Sequence, residues 1–242
     1  MLHFSPNKSV YLYCLPKTGS SLFKEYILKK SQLQYIDPLK LYANNKIDTL
    51  KIRDFNCAYG PLYTSHGYNS AIIKEMLSEE FTIHNSCIFL VRDPRDIIIS
   101  QYYSYGWSHA INTNDSENFL KRRKHIQSST LEEYVTDELQ IKTINDRYSL
   151  LIKLLTNNEY IKYENIIEDL DNVLVTLSEY NVYQNQSDID LLHKVSRPTQ
   201  KENILQHKRS GKVEQYKSKL NDNTISYLSN KFKEVIQKFG YE

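Results

Sequence analysis

One short segment joins a lysine, a glycine and three hydroxyl residues in the order Pro16-Lys-Thr-Gly-Ser-Ser21. The start of a helix offers unpaired backbone N–H groups and partial positive charge, which together bind anions. Gly19 would let the backbone approach an anion closely, and Lys17 would add a full charge. Further hydrogen-bond donors would be the hydroxyls of Ser20 and Ser21. The segment therefore predicts a phosphate-binding loop; the alternative is a plain turn with a surface lysine.

The loop is not of the type that binds ATP. That type reads G-x-x-x-x-G-K-S/T, with the lysine directly after the second glycine. Here Lys17 precedes Gly19, and no G-K-S/T occurs anywhere in the chain. The order of residues thus disfavours a P-loop kinase or another nucleoside triphosphate enzyme.

A second basic segment reads F-L-V-R-D-P-R-D-I-I-I-S and contains Arg92 and Ser100. The fork of an arginine matches phosphate oxygens, and Ser100 would lie about two turns into the following helix. The two residues could therefore hold a second phosphate group; the alternative is a surface arginine and a helical serine. Arg95 and Asp96 are expected to form an exposed first turn.

His66 is the histidine whose position best suits catalysis, because it directly follows a predicted short strand. Histidine titrates near pH 6.5 when unperturbed, so a neutral imidazole can accept a proton at physiological pH. The alternative is a residue that merely caps a turn before Gly67. The other histidines are expected at the surface: His3, His84, His109, His125, His193 and His207.

Short runs of β-branched and aromatic residues predict four buried strands, at 9–15, 61–65, 86–91 and 159–163. Helical periodicity separates these runs, which indicates an α/β fold with a central parallel sheet flanked by helices. In such sheets, ligands bind beyond the carboxyl ends of the strands. Lys17, His66 and Arg92 each follow a predicted strand, so we expect all three at that edge.

Capping residues and apolar periodicity define the helices. They are predicted from Ser20 or Ser21 onward, over 70–81, from Pro94 with Asp93 as N-cap, over 131–155 as one helix or a pair, over 165–180, in parts of 186–206, and over 223–239 ending at Gly240. Residues 106–129 are polar and indicate a long loop, and 209–219 appear irregular. Residues 35–58 have too weak a period for an assignment.

The bulk composition fits a single domain spanning residues 1–242. The net charge of +2 is too small to indicate a nucleic-acid partner. Cys14, Cys57 and Cys87 show neither disulfide nor metal-ligand spacing, which favours a reducing compartment; Cys14 and Cys87 are expected in the core. No apolar run approaches the roughly 20 residues that span a membrane, and no leader or anchor is apparent, so we expect a cytoplasmic protein.

Four segments in sequence order resemble those of the sulfotransferases that use PAPS (3'-phosphoadenosine 5'-phosphosulfate). That family's 5'-phosphosulfate loop reads P-K-S/T-G-S/T-S/T, and its 3'-phosphate segment reads R-D/N-P-R/K-D-x-x-x-S. The matches run from Pro16 to Ser21 and from Arg92 to Ser100. A Tyr163-Glu-Asn segment is similar to the family's Y-E-D, and Arg209-Ser-Gly211 with Tyr216 is similar to its R-K-G…W. The resemblance spans residues 16 to about 216 and implies a P-loop-like sulfotransferase fold.

The resemblance also implies a role for each matched residue. Lys17 would contact the 5'-phosphate and the bridging oxygen of the leaving group, and Tyr163 would approach the adenine. His66 matches the position of the catalytic histidine. The 5'-phosphate would be held by Thr18, Gly19, Ser20 and Ser21, and the 3'-phosphate by Arg92 and Ser100, with Arg209, Ser210 and Gly211 closing over it.

Two positions depart from the family pattern. Leu22 stands where many relatives carry a tryptophan that packs on adenine, so stacking is weaker or comes from another residue such as Phe23. Ser210 replaces the lysine of R-K-G, which removes one charge that Lys212 could restore. These departures put the adenine contacts in doubt and leave the transfer chemistry untouched.

The implied reaction moves a sulfuryl group from PAPS to a hydroxyl or amine, with His66 as base, PAP (3',5'-adenosine bisphosphate) as product and no metal. The acceptor and the oligomeric state stay open. Trp107 and the basic run 121–124 could face an acceptor such as an acidic saccharide, although such a run is more often a solvated surface. A non-catalytic nucleotide-binding protein on the same fold is the second alternative to a transferase.

Overall fold

The structure is a computed structural model and describes residues 9–50, 56–65, 67–110, 116–156, 158–180, 182, 185–198, 203–205 and 211–242. His66, Arg209 and Ser210 lie outside the described residues, as do His3 and His207. The chain divides into two compact units. The first comprises Met1–Val91 with Arg147–Arg197, and the second comprises Arg92–Asp146 with Pro198–Glu242. Whether residues 1–242 form a single domain stays a prediction.

The described strands form one five-stranded parallel sheet in the first unit, in the order β2-β3-β1-β4-β5. Their bounds are β1 Val10–Cys14, β2 Gln34–Ile36, β3 Cys57–Tyr63, β4 Ser86–Val91 and β5 Tyr160–Lys162. The predicted parallel α/β sheet is therefore confirmed. The strand β2 was not predicted, because three residues with partly exposed side chains carry no apolar run.

The helices occupy most of the remaining described chain. The α-helices are α1 Ser20–Phe23, α2 Pro38–Ala43, α3 Ala71–Met76, α4 Glu79–His84, α5 Pro94–Tyr103, α6 Ser116–Ser128, α7 Leu131–Thr136, α8 Glu138–Leu155, α9 Tyr163–Glu168, α10 Leu170–Glu179, α11 Gln186–Ser196, α12 Gln215–Lys219, α13 Asp222–Lys231 and α14 Lys233–Phe239. A 3₁₀ turn lies at Ile47–Thr49, and π-helical turns extend α1 over Lys24–Leu28 and α5 over Ser104–Ser108. Within the described residues, no helix is both long and apolar enough to span a membrane.

Both faces of the sheet in the first unit are covered. On one face, Val10, Leu12 and Cys14 of β1 join an apolar cluster with residues from α1, its π-helical turn and α9 to α11. On the other face, Tyr11 stacks on Tyr59 with ring centroids 4.7 Å apart, and Phe81 of α4 meets the Tyr11 ring edge-on. β1 is thus buried on both sides, which explains its unbroken apolar sequence.

The second unit is helical in its described part. α5 is its central element: it packs against α7, α12 and α13, and its residues are buried except at Ser100 and Tyr103. Its three consecutive isoleucines, Ile97 to Ile99, are fully buried because they face different neighbours around the helix.

The predicted loop over 106–129 is wrong, because α6 occupies Ser116–Ser128. Its sequence contains no glycine or proline and many good helix formers, so a helix forms with few apolar residues. Ile126 is the residue of this helix that is almost fully buried. A polar helix of this kind has no strong hydrophobic period, and the sequence alone therefore suggested a loop.

Several predicted helices are split in two. The helix over 70–81 divides into α3 and α4, because Ser78 caps a new helix by accepting a hydrogen bond from the backbone N–H of Phe81. The helix over 165–180 likewise divides at Asp169, and the last helix divides at Phe232 before ending at Gly240. Gly240 adopts the left-handed conformation expected at a helix C-terminus, with φ of 61°.

Candidate functional site

The loop after β1 folds back through two left-handed residues. Lys17 has φ of 76° and Gly19 has φ of 85°, whereas the intervening Thr18 is fully buried. The Thr18 hydroxyl donates to the carbonyl of Leu15 at 2.8 Å, which closes the turn. A left-handed conformation is uncommon at a lysine and carries a conformational cost. The helix then begins at Ser20, as predicted.

Gly19 lies directly against the ring of Tyr163. A Cβ atom at Gly19 would lie 2.5 Å from Cδ2 of Tyr163, so no side chain fits there without movement. Tyr163 is buried and opens α9, immediately after the edge strand β5. The first residue of α9 thus supports the loop, a contact that the sequence motifs did not reveal. The adenine contact of Tyr163 stays a prediction.

Hydrogen bonds connect the loop to the end of β3. The hydroxyls of Ser20 and Tyr63 lie 3.0 Å apart, and the backbone N–H of Thr64 donates to the carbonyl of Cys14 at 3.1 Å. The carboxyl ends of β1 and β3 are therefore held side by side. In the part of the chain that the structure describes, no group hydrogen-bonds to the buried hydroxyl of Thr64. Such a hydroxyl is stabilised by any polar group that reaches it.

The catalytic role of His66, two residues beyond Thr64, stays a prediction because His66 lies outside the described residues. Of the other histidines, His84, His109 and His125 are exposed, as predicted. His193 differs, since it is partly buried and its Nε2 lies 3.0 Å from a carboxylate oxygen of Asp171.

The cysteines are unsuited to nucleophilic chemistry. Cys14, Cys57 and Cys87 are free and buried, and the core positions predicted for Cys14 and Cys87 are confirmed. Burial raises the pKa of the Cys14 thiol well above its ordinary value, and hydrogen bonds from Thr18 and Ser20 oppose this rise only in part. The thiol next to the loop is therefore protonated and inert at neutral pH.

Arg92 follows the last residue of β4 and is almost fully buried in the second unit, with 5% of its surface exposed. Its Nη2 donates to a carboxylate oxygen of Asp96 at 3.1 Å and to the backbone carbonyl of Lys212 at 3.2 Å. Nε2 of Gln215 donates to the same carbonyl at 2.9 Å. Arg92 is thus a buried cation with fixed orientation rather than a surface arginine.

The predicted exposed first turn of α5 is wrong, because Arg95 is 3% exposed and Asp96 is fully buried. Asp93 caps the helix as predicted, and its carboxylate also accepts from Nε and Nη2 of Arg95. The Arg95 guanidinium lies 4.0 Å from the ring centroid of Tyr216 and donates to Ser229 and the carbonyl of Glu242. Two positive and two negative side chains therefore neutralise one another in this buried turn.

Two further predicted 3'-phosphate residues lie in the second unit. Ser100 is partly exposed and lies four residues after Asp96 in α5, so the two share one helix face. Gly211 has φ of 67° and directly precedes Lys212, whose carbonyl accepts from Arg92. Arg209 and Ser210 lie outside the described residues, so their roles stay predictions.

The basic run 121–124 makes contacts within the second unit. Arg123 donates to the backbone carbonyls of Tyr105 and His109. His109 is the residue at which the π-helical turn after α5 ends. Lys121 pairs with Glu117, and the Arg122 guanidinium lies 4.6 Å from the ring centroid of Tyr105. Arg123 therefore has a structural role, whereas the exposed Lys121, Arg122 and Lys124 fit the alternative of a solvated surface.

Trp107 lies in an aromatic cluster of the second unit. Its ring centroid lies 5.1 Å from that of Tyr102 and 6.0 Å from that of Tyr103. Nζ of Lys219 lies 5.0 Å from the Tyr103 centroid.

Across the described residues, no group of three or more His, Cys, Asp or Glu side chains could hold a metal ion.

The chain is similar to known proteins in its three-dimensional structure. No protein-family model matches the chain, and no curated protein matches it. A solved structure of mouse sulfotransferase SULT7A1 complexed with PAP superimposes with a TM-score of 0.63 at 15% identity, over 95% of this chain and 84% of that one. A retinol dehydratase in complex with androsterone and the inactive cofactor PAP gives 0.46 at 13% identity, over 94% and 80%. The first comparison shows that the chain has the sulfotransferase fold.

Proposed function

We propose that this chain is a sulfotransferase that moves a sulfuryl group from PAPS to a hydroxyl or amine of an acceptor. One observation carries the proposal: in a sulfotransferase fold, the loop after the central strand turns through the left-handed residues Lys17 and Gly19. The motif P-K-T-G-S-S supplies the donors that a 5'-phosphosulfate requires. The solved structure of SULT7A1 is itself complexed with PAP, the product that PAPS leaves after transfer, which supports PAPS as the donor here.

The loop suits the 5'-phosphosulfate end of the donor. Gly19 has the left-handed conformation that lets the loop turn its backbone N–H groups toward an anion, and Tyr163 packs against the position of the missing side chain. Lys17 would pair with the 5'-phosphate and stabilise the charge that develops on the leaving oxygen. The same phosphate would accept hydrogen bonds from the loop residues Thr18, Gly19, Ser20 and Ser21.

Arg92 suits the 3'-phosphate because it is a buried cation in a preorganised orientation. Ser100, which lies further along α5, would add a hydroxyl to the 3'-phosphate. Gly211 would add a backbone N–H. Arg209 and Ser210 complete this proposed set. A nucleotide with a phosphate on its 3'-oxygen should therefore bind more tightly than one without it.

Bound PAPS would supply the sulfuryl group for an in-line displacement. The acceptor oxygen or nitrogen would form a bond to sulfur while the bond from sulfur to the 5'-phosphate oxygen breaks, leaving PAP. His66 would take the acceptor proton, and Lys17 would hold the departing oxygen. The three free buried cysteines favour a reducing, cytoplasmic location for this reaction.

Donor binding can be tested before any acceptor is known. Calorimetry without magnesium should show that PAP binds in the micromolar range or tighter, and more tightly than AMP or ATP. Lys17→Ala should weaken PAP and AMP alike by about 10–100-fold, because a hydrogen bond to a charged group contributes ~1.5–3 kcal/mol. Absence of PAP binding, or preference for ATP with magnesium, would sink the proposal in favour of a kinase.

The proposed base has a separate test. With radiolabelled PAPS and an acceptor found by screening, His66→Ala should lower turnover by about 10²–10⁴-fold and leave PAP affinity unchanged. Normal turnover in this variant would exclude His66 as the base. A wild-type chain that binds PAP and sulfates no member of a broad acceptor panel would instead indicate a non-catalytic nucleotide-binding protein.

A further inference from the structure

Asp96 is a buried carboxylate whose two oxygens bind different parts of the second unit. One oxygen accepts from Nη2 of Arg92 at 3.1 Å, and the other accepts from the backbone N–H of Tyr216 at 3.2 Å. The side chain is fully buried. Burial, followed by the negative charge of Asp93, raises the pKa of Asp96, whereas the positive charge of Arg92 and the hydrogen bond from Tyr216 oppose that rise. The carboxylate is therefore costly to bury and depends on these two partners.

The same arginine also reaches the segment that contains Tyr216. Nη2 of Arg92 donates to the carbonyl of Lys212, and Asp96 accepts from the N–H of Tyr216. The turn from Lys212 to Tyr216 is thus attached at both ends to one ion pair. Gly211, a proposed contact of the 3'-phosphate, directly precedes this turn.

We propose that Asp96 is a positioning residue for recognition of the nucleotide's 3'-phosphate. It fixes the guanidinium of Arg92 and holds the turn 212–216 against it, so that the arginine and Gly211 keep one arrangement. This inference rests on the proposed function, because it assigns Arg92 to the 3'-phosphate. The two hydrogen bonds on Nη2 set the plane of the guanidinium, and that plane fixes the direction from which Arg92 can meet a phosphate.

Asp93 provides a matched control within the same helical turn. It is also buried, at 5% exposure, and its carboxylate binds Arg95. Arg95 in turn contacts Ser229 and the ring of Tyr216. Replacement of Asp93 by asparagine preserves the N-cap, since asparagine caps helices as well as aspartate, and removes a buried charge of the same sign.

The experiment compares Asp96→Asn with Asp93→Asn. For each variant, calorimetry gives the affinities for PAP and for AMP, which lacks the 3'-phosphate, and thermal unfolding gives stability. Asp96→Asn should reduce the PAP-to-AMP affinity ratio by about tenfold or more, with AMP affinity close to the wild-type value. Asp93→Asn should lower the melting temperature and reduce that ratio clearly less than Asp96→Asn does, because Asp93 reaches Tyr216 only through Arg95.

A folded Asp96→Asn protein with the wild-type affinity ratio would overturn the inference, and so would an equal loss of ratio in Asp93→Asn. If Asp96→Asn does not fold, Asp96→Glu serves in its place, because it keeps the charge and displaces the carboxylate by one methylene. The ratio should fall in this variant as well; an unchanged ratio rejects the positioning role. A wild-type protein without any preference for PAP over AMP would refute the proposed function itself.

Discussion

At the scale of single residues, Gly19 best shows why the loop has its sequence. Its φ of 85° is a conformation that disfavours residues with a Cβ, and the ring of Tyr163 occupies the space where a Cβ would point. From the sequence, Gly19 is predicted to let the backbone approach an anion closely. The structure adds a second cause, which is the close approach of a side chain from the start of α9.

Gly19→Ala should therefore be strongly destabilising. The left-handed conformation contributes a cost of about 1–2 kcal/mol, and the 2.5 Å approach to Tyr163 forces further movement. Chemical denaturation should show a loss of about 2 kcal/mol or more in the free energy of unfolding, and calorimetry should show weaker PAP binding.

Gly67→Ala is the matched control for this change. A Cβ at Gly67 would have its nearest neighbour at 3.8 Å, and the residue is exposed, so stability should change by less than ~0.5 kcal/mol. Equal stability losses at the two glycines would contradict the explanation offered for Gly19.

The buried charges of α5 mark the limit of residue-level prediction. The motif located Arg92 correctly after a strand, yet Arg95 and Asp96 appeared to be surface residues because charged residues usually are. Their burial depends on partners far along the chain, which are Tyr216 for Asp96 and Ser229 for Arg95. Contacts over such separations have no local sequence signal.

At the scale of elements, the prediction succeeded where an apolar run is buried on both sides. The strands β1 and β4 lie within the predicted ranges, and the predicted N-cap of α5 is confirmed. It failed for short or polar elements such as β2 and α6, which tertiary contacts stabilise. The four-segment resemblance located the loop and Arg92, whereas the contact of Tyr163 with Gly19 required the fold.

Both helices that follow a proposed phosphate segment end in a π-helical turn. α1 continues through Lys24–Leu28, and α5 continues through Ser104–Ser108. π-helical turns are rare and occur frequently at functional sites, because they shift the register of the side chains that follow. After α5, Arg123 fixes the end of the turn by donating to the carbonyls of Tyr105 and His109. Of the basic run, Arg123 thereby contributes to the shape of this element, whereas Lys121, Arg122 and Lys124 are exposed.

At the scale of the whole molecule, fold and motifs carry different information. The superposition on SULT7A1 covers 95% of this chain at 15% identity, so it establishes the arrangement of elements and not the chemistry. The proposed chemistry depends on a small number of positions, chiefly Lys17, Gly19, Arg92 and His66. Conversely, the motifs alone would not have revealed the sheet order or the two compact units.

The stability of the whole chain should report donor binding. A ligand that binds the native state at 100 times its Kd adds about 2.7 kcal/mol of stability, and in a chain of this size each kcal/mol raises the Tm by ~2–4 °C. Saturating PAP without magnesium should therefore raise the Tm by roughly 5–10 °C in differential scanning calorimetry, and by less in Lys17→Ala at the same PAP concentration. Stabilisation by ATP with magnesium and not by PAP would contradict the donor assignment.

The same calorimetric scan tests whether residues 1–242 form a single domain. A single domain should unfold in one transition. Two transitions, with only one shifted by PAP, would mean that the compact units unfold independently.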